Sequence, residues 1–412
     1  MVALSPQAVQ GVMERGGRVL LVVPSGTSFH TFFRGVAAAW AGCGGQLAVA
    51  AGPDLPGHAA EWPEAIERFP LPAFRGGNPL SIWAAGRGLA AAVSRWNPAI
   101  VHAHFAAGVV AAGVARTISS AGQRRWVGTF HGLHMTMAGT QSIASCMTAA
   151  AEAWSARRMD TVCVLNREDA MVMRSLVPAD RVRVVASCGV GCDLDTFDPG
   201  RYSPQARSNL RARLGIPADA MVVAYVGRRT AFKGFDVAVR GFMAAGLGNS
   251  ILLLVGSQDD AHPSGLTDLE RIAVASDPRV VDAGWQWNVA PFLAAANICL
   301  QPSVREGLPV TAMESLAMGV PVLTVDARGC RDVVRNGIDG LVLPAADSAV
   351  VADALTTFAA DRDRLRAMAQ AAVAGRARFD RRRYVAAEIE LYSQEMSALH
   401  SLRSRKGMVV DG

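Results

Sequence analysis

Lysine is almost missing from this chain: of 412 residues only Lys233 and Lys406 are lysine, so arginine carries nearly all the positive charge. A guanidinium fork can grip two oxygens of one phosphate, whereas an ammonium acts as a point charge. Cysteine is sparse, with seven at 43, 146, 163, 188, 192, 299 and 330, mostly within or beside apolar segments. Cys188 and Cys192 have a C-x3-C spacing with no matching second pair, which excludes a zinc ribbon and favours reduced, mostly buried thiols. No apolar run approaches the length of a membrane span, so no transmembrane helix is expected. Residues Met1 to Gly17 lack a basic-then-apolar leader pattern, and the expected location is the cytoplasm. Charged residues make up only 18% against 51% apolar, which excludes disorder and suits well-buried parallel sheets. Net charge is +6, but the arginines are spread along the chain and no nucleic-acid-binding signature occurs. The basic balance therefore points to a phosphate-bearing small ligand, with an anionic membrane face second.

A chain of this length exceeds one ordinary core, and two domains are expected. Short apolar runs alternate with helical patterns: Arg18–Pro24, Gln46–Ala51, Ala99–His104, Arg125–Phe130, Thr161–Leu165 and Val182–Ala186 read as strands. The alternation restarts with Met221–Val226, Ile251–Val255, Val280–Ala283, Ile298–Pro302 and Pro321–Asp326. Such alternation means parallel sheets with right-handed crossovers. The expected fold class is α/β, two Rossmann-like domains whose parallel sheets face across a cleft. The N-terminal domain is expected over 1–198, a linker over 197–204, and the C-terminal domain over 205–380. A last helical stretch, 381–412, is Arg-rich.

The stretch Val304 to Pro321 organises the chemistry. Glu306 lies in a loop after an apolar strand and Glu314 lies eight positions on, with Pro309 suited to a helix start. Backbone N–H groups of Gly307, Leu308 and Val310 can meet a phosphate, and the two carboxylates can accept from hydroxyls. A ligand carrying both is a nucleotide-sugar. An isolated E-x7-E is equally what a solvated loop residue and a first-turn acid look like. Arg228 and Lys233 share the loop after Met221–Val226. One opposite charge at about 4 Å contributes about 4 kcal/mol at an intermediate effective dielectric, against about 0.3–1 kcal/mol for a helix N-terminus. The side-chain cations would thus dominate stabilisation of a leaving diphosphate, with no metal required. Gly26 and Thr27, in the loop Ser25–Ser28 before a helix from Thr31, can approach a phosphate. His131-Gly132 is delivered to the end of its strand. His102 and His104 share one strand face but lack an evident third metal ligand, which favours a hydrogen-bonding role. Asp193-Leu194-Asp195 sits in an exit turn rather than in a metal-holding loop.

Taken together, G-R-x-x-x-x-K-G at 227–234, D-A-G-W at 282–285 and Q-P-S-x-R-E-G-L-P at 301–309 with Glu314 resemble the retaining glycosyltransferases of the GT-B fold, the family-four (group 1) type. P-A-I-V-H-A-H at 98–104, T-F-H-G at 129–132 and G-C-D-L-D-x-F at 191–197 have counterparts there. The resemblance implies that Arg228 and Lys233 bind the donor diphosphate. It implies that Glu306, with Gly307, Leu308 and the adjoining Pro309, holds the donor sugar, and that Glu314 binds the ribose. Trp285 and Gln286 would lie against the base, His131 would reach the donor sugar, and the helix from Arg381 would cross back to the N-terminal domain. Neither cofactor nor metal is implied; the donor would be a UDP- or GDP-sugar and the acceptor a sugar or lipid-linked hydroxyl. The chain departs from the family at Ser25-Gly26-Thr27, where a Gly-Gly pair is usual.

The expected activity is hexosyl transfer with retained configuration in cell-surface polysaccharide or glycolipid assembly. An epimerase on the same fold and a non-catalytic nucleotide-sugar-binding subunit are the rival readings. Arginine and tryptophan in 82–96, with Trp154 beside Arg157 and Arg158, would allow peripheral contact with the inner face of the plasma membrane.

Overall fold

The computed structural model describes residues 17–54, 61–74, 78–120, 122–134, 143–185, 189–259 and 262–410. Cys188 lies outside them. The chain divides into two units: Met1–Gly189 with Arg382–Gly412, and Val190–Arg381.

Unit 1 holds a parallel sheet of β1 (Arg18–Val23), β2 (Gln46–Ala51), β3 (Glu67–Pro70), β4 (Ile100–His104), β5 (Arg125–Phe130), β6 (Thr161–Val164) and β7 (Val182–Val184). The strand order is β3-β2-β1-β4-β5-β6-β7, so the order reverses between β1 and β4. β4 is buried along its whole length because both sheet faces are covered. The helix Pro79–Trp96 begins as the sequence predicts, with the Asn78 side chain accepting from the Leu80 N–H and proline in the first turn.

Unit 2 holds a parallel sheet of β8 (Met221–Val226), β9 (Ser250–Val255), β10 (Val280–Gly284), β11 (Ile298–Gln301), β12 (Val322–Val325) and β13 (Gly340–Leu343). Its order is β10-β9-β8-β11-β12-β13, with the reversal between β8 and β11. Open α/β sheets leave a crevice at such a reversal, outside the strands' carboxyl ends. Two Rossmann-like parallel-sheet units are therefore present, as the alternation of apolar runs predicts.

Several local expectations need correction. The break between units falls at Gly189, not in 197–204, because Val190–Phe197 is stitched to unit 2. Cys192 N–H donates to Phe379 O at 2.8 Å and Cys192 O accepts from Arg381 N–H at 3.0 Å. The Arg376 guanidinium donates to Leu194 O and Phe197 O at 2.7 and 2.6 Å. The stretch read as a linker runs into a helix, Pro204–Arg213, capped by Ser203. The run 348–378 is broken at Asp361, whose side chain accepts from Arg364 N–H and starts a second helix. β13 escapes sequence reading because it is four residues long and opens on glycine. That glycine is required, since a Cβ at Gly340 would stand 2.1 Å from Val322 O.

The last helix, Arg381–Val410, packs its inner face on unit 1. Tyr384 and Tyr392 are fully buried, and the Tyr392 ring meets Trp40 edge-on at 5.3 Å. Glu395, also buried, accepts from Arg125 Nε and Thr161 Oγ1, each at 2.6 Å. Among the described residues no helix is long and apolar enough to cross a membrane. Removing one partner of a buried ion pair strands the other charge. Glu395→Ala is therefore expected to lower folding stability by about 3 kcal/mol, read as a lower urea midpoint with an unchanged slope. An unchanged midpoint would show that this pair does not hold the helix.

Candidate functional site

The reversal between β8 and β11 places two loops side by side. β8 ends at Val226, and Gly227 turns the chain with φ 149. Arg229 folds back and binds Asp282 with both guanidinium nitrogens, anchoring the loop to β10. A single 3-10 turn, Ala231–Lys233, ends on Gly234 at φ 70. A Cβ there would meet Pro302 O at 2.2 Å, so only glycine lets the β8 loop touch the β11 loop. That approach carries the Lys233 ammonium onto Glu306: Nζ and Oε1 are 2.6 Å apart, and Glu306 is 9% exposed. Gly329, at φ 76, presses on the same loop from the other side, where a Cβ would meet Gly307 O at 2.3 Å.

Between the loops lies a cavity of about 120 Å³ lined by Tyr225, Gly227, Arg228, Lys233, Gln301 and Thr311. Among the described residues, Gln301 Oε1 in this lining and Thr230 Oγ1 in the β8 loop are buried without hydrogen-bond partners. Buried polar atoms normally have partners, so such gaps mark where a ligand's groups belong. Sequence reading gave neither residue a role, although Gln301 opens the motif at 301–309. Gln301 was hidden at the end of an apolar strand, and only the strand order turns it toward the cavity. Arg228 lines the same cavity, but it is half exposed and its guanidinium is paired with Asp259. Arg228 and Arg305 also flank the Phe232 ring, at 5.3 and 5.4 Å from its centroid.

The two carboxylates of the sequence motif are not equivalent. Glu306 is ion-paired. Glu314, on the helix Val310–Ala317, is pushed up to about 7 by burial, with the Arg381 guanidinium opposing the shift. Pro309 precedes that helix instead of opening it, and Gly307, Leu308 and Pro309 are all buried. After β10, the Trp285 and Trp287 rings meet edge to face at 4.7 Å and are partly exposed. The Gln286 amide donates back to Ala283 O at 2.7 Å.

Unit 1 contributes different chemistry. His131 stands at the end of β5, its Nε2 3.2 Å from His104 Nδ1 and its ring stacked on Phe105 at 4.0 Å. Phe105 holds φ 65, a left-handed conformation that side-chain-bearing residues seldom adopt. Burial, aided by neighbouring His102, pushes His131 down to about 3, so it is neutral at any working pH. It can donate or accept a hydrogen bond but supplies no charge. His102 Nε2 lies 2.7 Å from Thr129 Oγ1 and Nδ1 3.0 Å from Tyr392 Oη, a hydrogen-bonding role. The third candidate ligand that sequence spacing does not reveal is Glu388 of the last helix, buried with His102 and His104 and 3.3 Å from His102 Nδ1. Asp193 spends both oxygens on its own turn, accepting from Asp195 N–H at 3.0 Å and Thr196 Oγ1 at 2.8 Å.

Gly26 and Thr27 require a correction. They do not form an open loop: the Ser25 side chain accepts from Ser28 N–H, and a helix runs Gly26–Phe32 before breaking at Phe33. The space beside Gly26 is filled, since a Cβ would meet Asp54 Oδ1 at 2.2 Å and Trp62 at 2.7 Å. A carboxylate in that place opposes a phosphate.

Each unit of the chain matches a family of known proteins. Residues 15–190 match Glycosyltransferase Family 4, and residues 220–361 match Glycosyl transferases group 1. A D-inositol 3-phosphate glycosyltransferase of Thermobispora bispora is 33% identical over 236 residues, 54% of this chain and 53% of that protein. The chain spans about half the length of the curated relatives it matches. Among solved structures, a sucrose-phosphate synthase from Thermosynechococcus elongatus has TM-score 0.73 at 21% identity, covering 95% of this chain and 100% of that one. HepE from Anabaena, solved in complex with UDP-glucose, has TM-score 0.68 at 18% identity, covering 93% and 99%. With one match on each unit and the GT-B fold throughout, the chain belongs to the GT-B group 1 glycosyltransferase family.

Glu314 makes stability depend on pH. Its folded pKa stands above the unfolded value, so the folded chain holds an extra proton between the ordinary carboxylate range and about 7. Stability is then lost as pH rises through that window. Glu314→Gln is expected to gain in Tm relative to the parent between about pH 5 and about pH 7.5. A Tm difference that stays flat across that range would refute the burial of this carboxyl.

Proposed function

We propose that the chain moves a hexosyl group from a UDP- or GDP-sugar to a hydroxyl acceptor, free or lipid-linked, with retained anomeric configuration. The observation that carries this reading is the Lys233–Glu306 pair at the rim of a cavity that also holds Arg228 and the unpartnered Gln301 Oε1. Cations and a hydroxyl-accepting carboxylate set side by side suit a ligand whose diphosphate adjoins a sugar. Lys233 and Arg228 take the diphosphate, Arg228 exchanging Asp259 for phosphate oxygens. Glu306, relieved of its lysine, accepts from donor sugar hydroxyls beside Gly307 and Leu308. Glu314, once ionised, accepts from the ribose, and Trp285 with Gln286 borders the base. His131, neutral, hydrogen-bonds the donor sugar. As the glycosidic bond breaks, its electron pair passes to the diphosphate oxygen, where the two cations stabilise it. The acceptor oxygen bonds the anomeric carbon on the same face and its proton leaves with the diphosphate. Positioning and fixed charge carry the rate, without a cofactor or metal.

The sucrose-phosphate synthase and HepE likenesses support the fold, and UDP-glucose on HepE supports the donor class. A cytoplasmic enzyme touching the inner face of the plasma membrane fits this role in polysaccharide or glycolipid assembly. Leu80 and Trp83 are exposed on one helix with Arg87 against the Trp83 ring, a face suited to anionic lipid.

Lys233→Ala is expected to lower kcat about a hundredfold, the usual effect of losing one transition-state donor. The check is steady-state transfer assayed with each nucleotide-sugar, after donor screening by thermal shift. Unchanged turnover would sink the role of Lys233. Conversion of the donor to its epimer without acceptor would replace transfer with epimerisation.

A further inference from the structure

A second cavity, of about 140 Å³, lies in unit 1 at the carboxyl ends of β2 and β3. Asp54, Trp62 and Arg68 line it, and nothing above uses it. Its neighbourhood holds an unusual density of unanswered hydrogen-bonding atoms. Among the described residues, Thr27 Oγ1, both ring nitrogens of His30, Asp54 Oδ1 and Trp62 Nε1 are buried without partners. These atoms are mixed in kind: a carboxylate oxygen only accepts, an indole N–H only donates, and hydroxyl and neutral imidazole do both. A hydroxyl also does both, so a set of neighbouring hydroxyls is the ligand chemistry that answers all of them at once.

The frame around these atoms is aromatic. The Trp62 ring stacks on Phe29 at 4.8 Å and 6°, His30 meets it edge-on at 4.7 Å, and the Arg68 guanidinium covers it at 4.3 Å. Gly26 is where this frame touches the first strand's turn, with Asp54 and Trp62 both inside the space of a side chain. The charges are ordered by depth. Asp54 Oδ1 is buried, whereas Arg68 is exposed at the mouth and screened by solvent. Burial, then Arg34, holds His30 below its ordinary range, so the imidazole there is neutral. The deepest charge is thus negative, and it lies where the chain departs from the family's usual Gly-Gly turn.

We infer that this cavity is a subsite for a neutral sugar, whose hydroxyls pair with Asp54 and Trp62, and that it disfavours a phosphate beside Gly26. Resting on the proposed transfer reaction, it takes the acceptor sugar. This assigns acceptor selectivity to Asp54 and Trp62, neither of which belongs to a family motif.

The test uses saturation-transfer NMR on the full chain, with and without UDP, with the methyl α-glycosides of glucose, galactose and mannose and with glucose 6-phosphate as probes. At least one neutral glycoside should show transfer, and glucose 6-phosphate should bind more weakly than that glycoside. Asp54→Asn and Trp62→Phe should each weaken the neutral probe about tenfold while leaving the UDP-induced rise in Tm intact, which shows that unit 2 is folded and loaded. Silence from all three glycosides, tighter binding of glucose 6-phosphate, or unchanged binding in both variants would overturn the assignment. Glycoside binding that survives when UDP fails to raise Tm would leave the subsite standing and remove the donor reading instead.

Discussion

Everything in the donor-side site depends on one close approach of backbone. The turn after β8 can lie against the turn after β11 only because residue 234 has no side chain, with Pro302 O in the space a Cβ would need. That contact sets Lys233 on Glu306 at 2.6 Å. A pair this close and only partly exposed is screened less than surface ion pairs. It holds a carboxylate and a cation together at the rim of the cavity, ready to exchange partners with an incoming diphosphate and sugar.

The neighbouring groups are tuned differently by their surroundings. Arg228 is held outward by Asp259, so one cation is preset and the other waits. Glu314 is pushed up to about 7 by burial, whereas Glu306 has a lysine beside it. The two acids that the motif presents as a pair thus sit in different surroundings. In unit 1, burial makes His131 and His30 neutral, so this half of the chain offers hydrogen bonds without positive charge at those rings. Positive charge for phosphate is concentrated in unit 2, and the buried charge beside the Gly26 turn is negative.

Much of the scaffold was readable directly. β1, β2, β6, β8, β9 and β12 are near-continuous apolar runs, as doubly covered parallel strands must be, and their spacing announces the crossovers. The elements that sequence reading missed or shifted are those set by single side chains or distant partners. Ser25 begins a helix early by capping it, Asp361 splits one helical run in two, and Cys192 draws Val190–Phe197 into unit 2 by pairing with Phe379 and Arg381. None of these choices has a periodic signature, because each is decided by one or a few hydrogen bonds.

The same division holds for the site. Sequence alone determined the residue types and their order: a glycine-bounded loop with Arg228 and Lys233, a strand-ending loop with Glu306, and Glu314 one helix on. Local chemistry suffices for that, since motif spacing fixes which side chains leave a strand end together. Tertiary structure decided which groups meet. It brought Gln301 to the cavity, turned Arg228 onto Asp259, set Glu388 beside His102, and closed the Gly26 turn with Asp54 and Trp62. Those meetings join residues remote in sequence, and strand order and packing fix them, neither of which a local pattern encodes.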